Sequence, residues 1–123
     1  MAKILIVEDE RPIAEHLPAL LAARGFEASW VADGADALAL AKKQKPDLIL
    51  LDVMLPRVSG FDICRLLKSD SDTAKIKIIM ITGLGRMGDV EKAFGQGADD
   101  YIIKPFDSER LFKKVEKVLS QGT

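Results

Sequence analysis

The stretch from Pro46 to Pro56 reads PDLILLDVMLP and contains four consecutive apolar residues, Leu48 to Leu51, which end in the carboxylate of Asp52. A short, unbroken apolar run with turn residues on either side is typical of a strand that is buried on both faces of a parallel sheet. Asp52 is then expected at the carboxyl end of a central strand, where open α/β sheets bind their ligands. Taken alone, the pattern fits equally well with an Asp52 that caps a turn.

The composition of the chain limits the classes of protein to which it can belong. The 123 residues predict a single domain over residues 1–123, and 48% hydrophobic residues are enough for a core. A net charge of -1 without a basic run argues against direct nucleic-acid binding. The apolar runs fall well short of the roughly 20 residues that a membrane span needs. The one cysteine, Cys64, excludes an internal disulfide, and a cytoplasmic location is expected.

Short apolar runs and helical spacings alternate along the rest of the chain. Four further strands are predicted over residues 3–7, 26–31, 76–82 and 100–103. Five helices are predicted. The first has Pro12 in its first turn, the second opens at Asp33-Gly34, and the third begins at Ser59-Gly60. The fourth spans about residues 89 to 96, and Asp107 caps the last. This rhythm predicts an α/β fold, a flavodoxin-like doubly wound sheet of five parallel strands in the order 2-1-3-4-5 with five helices.

Three apolar side chains test the predicted helix faces. The spacing places Leu66 in the buried stripe of the third helix and Phe94 among the packing residues of the fourth. Phe112 lies just beside the inward stripe of the last helix. We therefore expect Phe112 to be exposed and to contact a partner or a second copy of the chain.

Polar side chains stand where four of the predicted strands end. They are Glu8 and Asp9 after the first strand, Asp52 on the third, Thr82 on the fourth and Lys104 after the fifth. In the order 2-1-3-4-5 the first and third strands are neighbours, so their carboxylates should converge. Two unit charges about 4 Å apart repel by roughly 4 kcal/mol at an effective dielectric constant of about 20, so such a cluster needs a counter-charge.

These residue types suit a metal-assisted phosphoryl site. Mg2+ binds oxygen ligands, commonly one or two carboxylates with several waters, and it neutralises incoming phosphate charge. A carboxylate such as Asp52 can accept a phosphoryl group and form an aspartyl phosphate. Lys104 would supply positive charge and Thr82 a hydroxyl donor to a phosphoryl oxygen. Singly, each residue also has an ordinary structural role, such as an acidic residue that caps the first helix.

Taken together, these segments resemble the receiver domain of bacterial two-component response regulators, such as the chemotaxis regulators. The resemblance covers essentially the whole chain, through the segments LIVEDE, LLDVMLPRVSG, MITG and DDYIIKPF. It implies that Asp52 is the phospho-acceptor. It also implies a Mg2+ site formed by Asp9, Asp52, the main-chain carbonyl of Met54 and, through water, Glu8.

The same resemblance implies roles for three residues near the acceptor. Thr82 matches the switch hydroxyl of the family, Lys104 its phosphate-binding lysine and Tyr101 its switch aromatic residue. The family usually has a cis peptide at the bond that corresponds to Lys104–Pro105. Glu8 stands where many members carry aspartate, a common variation that bears on the affinity for the metal.

The implied function is phosphorelay signal transduction. A sensor histidine kinase or phosphotransfer protein would phosphorylate Asp52, and the surface of the fourth helix, fifth strand and fifth helix would then control a downstream effector protein or domain. A phosphorylation-dependent homodimer is one form of such an output. The domain would not be an enzyme beyond catalysing its own phosphorylation and dephosphorylation.

Other functions remain open at this point. The first is a receiver-like interaction module that works without phosphorylation. A phosphatase with an aspartyl nucleophile would need an acid or base at Met54, which cannot transfer a proton. A flavin-binding module would need phosphate-binding donors where the acidic residues 8–10 stand. The sequence contains no DNA-binding domain, which fits either a stand-alone receiver or a piece of a longer regulator.

Overall fold

A computed structural model describes residues 2–55, 57–83 and 87–121. Within these residues, five strands alternate with five helices. The strands are β1 (Lys3–Val7), β2 (Glu27–Val31), β3 (Leu48–Asp52), β4 (Lys77–Thr82) and β5 (Asp100–Ile103). The helices are α1 (Arg11–Ala23), α2 (Gly34–Gln44), α3 (Gly60–Ser69), α4 (Met87–Gly95) and α5 (Ser108–Ser120).

The five strands form one parallel sheet in the order β2-β1-β3-β4-β5, which confirms the predicted topology. β3 lies at the centre and all five of its residues are buried. Val7 pairs with Leu51, and Asp52 pairs with Ile81, so β1, β3 and β4 end side by side. The order therefore brings the residues that follow these strands to one edge of the sheet.

Alternate residues of the central strands pack on opposite faces of the sheet. Leu5 and Ile49 belong to a core cluster on the side of α2, α3 and α4. Ile6 and Leu50 belong to a second cluster on the side of α1 and α5. Because both faces are covered, the strands read as unbroken apolar runs, and their ends are the places where polar groups can meet.

Side-chain caps fix the starts of three helices. Asp33 accepts a hydrogen bond from the backbone N–H of Ala35 at 2.9 Å, and Ser59 accepts one from Phe61 at 3.2 Å. Asp107 accepts one from Arg110 at 2.7 Å. Each cap satisfies a backbone N–H that has no partner within its helix, which explains why these three predicted starts are confirmed.

Some predicted bounds differ from the structure. α4 begins at Met87 rather than Asp89, so it contains Gly88, and it ends at Gly95. β2 begins one residue later than predicted because the backbone N–H of Phe26 bonds to Leu21 at the end of α1. β4 begins after Ile76, whose N–H closes a turn on Thr73.

Three side-chain predictions were wrong. Leu66 and Phe94 are 40% and 47% exposed, although the Phe94 ring packs edge-on against Tyr101. Phe112 is only 5% exposed. The guanidinium of Arg24, just after α1, lies 4.2 Å from the centre of its ring and covers it. The exposed partner contact predicted at Phe112 is therefore not available.

Candidate functional site

The ammonium group of Lys104 lies at the centre of the polar residues on the carboxyl edge of the sheet. Its Nζ donates hydrogen bonds to Glu8 Oε1 at 3.2 Å, Glu10 Oε1 at 3.0 Å and Asp52 Oδ2 at 3.2 Å. Oxygens of the three carboxylates lie within 4.8 Å of one another. The structure thus brings Glu8, Asp52 and Lys104 together as the strand order predicts, and it adds Glu10 to them.

Backbone contacts of the surrounding loops position these side chains. The Glu8 N–H donates to the carbonyl of Val31 at 3.2 Å, and the Glu8 carbonyl accepts from the indole of Trp30 at 2.7 Å. The Lys104 N–H donates to the carbonyl of Thr82 at 2.8 Å. The Lys104–Pro105 peptide is cis, as the resemblance implied. Both flanks of the site are therefore tied to neighbouring strands.

The acceptor candidate Asp52 is nearly closed off from solvent. It is 2% exposed, and its Oδ1 accepts a hydrogen bond from the backbone N–H of Met54 at 3.1 Å. Its other oxygen, Oδ2, bonds to Lys104. Both carboxylate oxygens of Asp52 therefore have a hydrogen-bond donor.

Three carboxylates outnumber the one ammonium, and the charges perturb one another. Burial raises the pKa of Glu8 to about 8, and the adjacent carboxylate of Asp52 adds to that rise. Burial opposes the charged form of Lys104, but the carboxylates of Glu10, Glu8 and Asp52 outweigh it and raise the pKa of the ammonium. The cluster holds excess negative charge that a further cation would relieve.

The donor set fits a hard divalent cation. Glu8 is fully buried, and its Oε2 has no hydrogen-bond partner among the described residues, although Lys104 Nζ lies 3.0 Å away. One ammonium group serves three carboxylates here, so a second cation would further stabilise this buried oxygen. All the nearby ligand atoms are oxygens, as Mg2+ requires. The residues present therefore fit Mg2+.

Two of the predicted metal ligands have other surroundings. The side chain of Asp9 is exposed and does not belong to the group formed by Glu8, Glu10 and Asp52. The side chain of Met54 is 76% exposed, and its backbone N–H donates a hydrogen bond to Asp52. Their roles as ligands stay predictions.

Glu10 is the residue of the site that the sequence reasoning missed. The available signal was its place as the third acid after β1. Three successive acids on a loop give no periodicity that would tell which of them points toward the sheet edge. The resemblance directed attention to Glu8 and Asp9 instead.

Thr82 ends β4 and carries an unsatisfied hydroxyl. The residue is 1% exposed, and its Oγ1 has no hydrogen-bond partner in the described part of the chain. Such a group is available to an incoming oxygen, which would remove the cost of leaving it unpaired. Tyr101 is half-buried on β5, with the ring of Phe94 edge-on at 5.8 Å and Lys114 Nζ at 4.5 Å from its ring centre.

An apolar groove opens beside the polar cluster, between α1 and the start of α5. It has a volume of about 640 Å3, and Glu10 and Lys104 are part of its lining. Its largely apolar wall is formed by Leu17, Leu20, Pro105, Phe106 and Leu111.

Comparison with known families decides the class of the chain. The family model described as the response regulator receiver domain matches residues 4–116. The chain belongs to the response regulator receiver family. Receiver domains are the regulatory domains of two-component systems and act in phosphorelay signalling. The family predicted from the sequence is thereby confirmed.

The receiver domain has relatives among longer regulators. It is 41% identical over 119 residues to the DNA-binding dual master transcriptional regulator RpaA of Synechocystis, covering 97% of this chain and 49% of RpaA. The chain spans about half the length of the curated relatives it matches. No helix among the described residues is long and apolar enough to cross a membrane.

Solved structures show the same fold. The chemotaxis response regulator CheY4 of Vibrio cholerae superposes with a TM-score of 0.90 at 32% identity, covering 96% of this chain and 98% of that one. The receiver domain of sensor histidine kinase PA1611 from Pseudomonas aeruginosa gives a TM-score of 0.89 at 30% identity, covering 98% of each chain. That structure has a magnesium ion coordinated in its active site cleft.

Proposed function

We propose that this receiver domain accepts a phosphoryl group on Asp52 in the presence of Mg2+ and thereby switches a protein-binding surface. One observation carries the proposal. Asp52 is buried at the end of the central strand, within hydrogen-bond distance of Lys104 and beside the fully buried carboxylate of Glu8. A carboxylate held between an ammonium and a metal-binding acid is suited to phosphoryl transfer.

The metal site of the proposal includes Glu8 and Asp52, with Asp9 and the Met54 carbonyl as the ligands that the resemblance implies. The acidic cluster and the magnesium ion in the cleft of the PA1611 receiver domain support it. When bound, Mg2+ would neutralise charge on the phosphoryl oxygens. Glu8 carries a raised pKa, so it must lose its proton before it can hold the metal.

The transfer step uses groups of this chain at both ends. A carboxylate oxygen of Asp52 forms a bond to phosphorus while the P–N bond of a phosphohistidine on the kinase or phosphotransfer protein breaks. The electron pair stays on the departing imidazole nitrogen. Lys104 donates hydrogen bonds to the oxygens on which negative charge develops. Exclusion of water around Asp52 favours transfer over hydrolysis.

The switch would begin at Thr82. Its unpaired hydroxyl would donate to a phosphoryl oxygen on Asp52, which lies on the neighbouring strand. Tyr101 lies on the next strand, where Phe94 of α4 and Lys114 of α5 contact its ring. A shift at Thr82 would therefore reach the face formed by α4, β5 and α5.

The partners follow from the family and remain part of the proposal. A sensor histidine kinase or phosphotransfer protein would supply the phosphoryl group, and an effector protein or domain would read the switched face. The curated relatives RpaA and MtrA are DNA-binding regulators about twice as long as this chain. Their length supports residues 1–123 as the receiver domain of a regulator that also has an effector domain. A phosphorylation-dependent homodimer is a further expected form of output.

Intact-mass spectrometry with acetyl phosphate tests the proposal. The wild-type protein should gain the mass of one phosphoryl group when Mg2+ is present and none when the metal is chelated. Asp52→Ala should gain none under either condition. If no phosphoryl group is added to the wild type, the phosphorylation-independent interaction module becomes the better account.

A further inference from the structure

Glu10 makes a contact that its position in the fold does not require. It stands at the N-cap position of α1, yet its side chain makes no cap hydrogen bond to the helix. Its carboxylate is turned toward Lys104 instead and accepts a hydrogen bond at 3.0 Å. The Glu10 N–H donates to Glu8 Oε1 at 3.2 Å, so the loop is fixed in this arrangement. The side chain of Glu10 therefore accepts a hydrogen bond from Lys104 instead of from a backbone N–H at the start of α1.

This contact uses one of the three donors of the lysine. An ammonium group has three N–H bonds, and Lys104 directs them to Glu8, Glu10 and Asp52. A phosphoryl group on Asp52 brings three strong acceptor oxygens to the same place. The bond to Asp52 can pass to the phosphoryl group, which then carries the negative charge. A second bond from Lys104 to the phosphoryl oxygens requires that it leave one of the two glutamates.

The exposure of the acids decides which bond is released. Glu8 is fully buried, so water cannot replace Lys104 there and its carboxyl oxygens would lose a hydrogen-bond donor. The side chain of Glu10 is 58% exposed, so water can replace the lysine at little cost. Glu10 also places a carboxylate oxygen within 4.8 Å of the acceptor carboxylate, where it repels an incoming anion.

We infer that Glu10 is a positioning residue that holds Lys104 in the unphosphorylated state and opposes binding of the phosphoryl group at Asp52. The inference rests on the proposed function of Asp52. It adds that Glu10 lowers the affinity of the site for a phosphoryl group. Phosphorylation would transfer one lysine hydrogen bond from Glu10 to a phosphoryl oxygen. Removal of the Glu10 carboxylate should therefore favour the phosphorylated form.

Calorimetric titration with beryllofluoride, an analogue of the phosphoryl group, tests this at saturating Mg2+. Glu10→Gln should bind beryllofluoride about two- to five-fold more tightly than the wild type, as expected for loss of one exposed ionic contact. Glu10→Asp keeps the charge but is one methylene too short to reach Lys104, so it should also bind more tightly. Glu15→Gln is the matched control, since Glu15 lies on α1 and its side chain is also 58% exposed. This control should bind as the wild type does.

The outcomes separate the inference from the function on which it rests. If the wild type fails to bind beryllofluoride with Mg2+, the proposed function fails. If the wild type binds and Glu10→Gln is unchanged, Glu10 does not restrain Lys104. If Glu10→Asp binds beryllofluoride no more tightly than the wild type, the negative charge at this position, and not its hydrogen bond to Lys104, opposes the ligand. That result would overturn the positioning role. A Mg2+ titration without beryllofluoride completes the test, because weaker Mg2+ binding by Glu10→Gln with no gain for beryllofluoride would make Glu10 a metal ligand and overturn the inference.

Discussion

Gly60 contacts the backbone of the strand that carries the acceptor aspartate. A Cβ atom at this position would lie 2.0 Å from the carbonyl oxygen of Asp52 and 2.9 Å from the Cα of Val53. We expect Gly60→Ala to lower the free energy of unfolding by ~3 kcal/mol or more, because backbone and not a flexible side chain must move. Urea unfolding followed by circular dichroism measures the change.

Gly88 provides the control for that substitution. It lies in α4, and a Cβ atom there would meet no other atom within 4 Å. Gly88→Ala should leave stability unchanged or raise it by up to about 1 kcal/mol, the usual gain in helix propensity. If Gly60→Ala proved as stable as Gly88→Ala, this would contradict the close contact between Gly60 at the start of α3 and the backbone of Asp52 and Val53.

The thiol of Cys64 should be protected by its burial. The residue is fully buried, and burial raises its pKa to about 11. Because the folded state holds the proton more tightly than the unfolded state, any stability from this thiol is complete below its ordinary pKa and is lost as the pH rises toward 11. At pH ~8, alkylation by iodoacetamide should be at least ~100-fold slower in the folded protein than in urea, since the thiolate is the reactive form. Equal rates in the two states would contradict the burial of Cys64.

Lys68 joins three elements at the opposite edge of the sheet from the acidic cluster. From the end of α3, its ammonium donates to the carbonyl of Ile76 at 2.7 Å and to Asp99 Oδ2 at 3.1 Å. Asp99 Oδ2 also accepts from the N–H of Ile78 at the start of β4. The contacts tie α3, β4 and the start of β5 together.

Substitution of Lys68 should therefore loosen this junction. Lys68→Met keeps most of the apolar stem and removes the donor, and we expect a loss of about 1–3 kcal/mol because the partners are only partly exposed. Lys75→Met, at an exposed position in the turn before β4, should change stability by less than about 0.5 kcal/mol. The midpoints of urea unfolding give both values, and equal midpoints would show that the Lys68 contacts add nothing.

The sheet order was predictable from the chain because each strand is a short apolar run and each connection carries a helical spacing. The meeting of Glu8, Asp52 and Lys104 followed from that order, since it requires only that each residue comes where its strand ends. Burial of Phe112 was not predictable, because its ring packs in a core cluster with residues of α1 and is also covered by Arg24 of a distant segment. The direction of Glu10 was not predictable either, because a loop side chain follows no period.

Mg2+ should stabilise the whole molecule if the acidic cluster binds it. A ligand that binds only the folded state at 100 times its dissociation constant adds about 2.7 kcal/mol to the free energy of unfolding. The melting temperature of the wild type should therefore rise with Mg2+, and Glu8→Gln should lose most of that rise. An equal rise in wild type and variant would contradict a role for Glu8 in metal binding.

The acceptor residue itself is the central claim, and chemical trapping locates it directly. After treatment with acetyl phosphate and Mg2+, borohydride reduction converts an aspartyl phosphate into homoserine, which peptide mass spectrometry can place in the chain. We predict homoserine at Asp52 alone, absent when Mg2+ is chelated. Homoserine at another aspartate, the corresponding alcohol at a glutamate, or an unmodified Asp52 in protein that has gained a phosphoryl group would contradict this assignment.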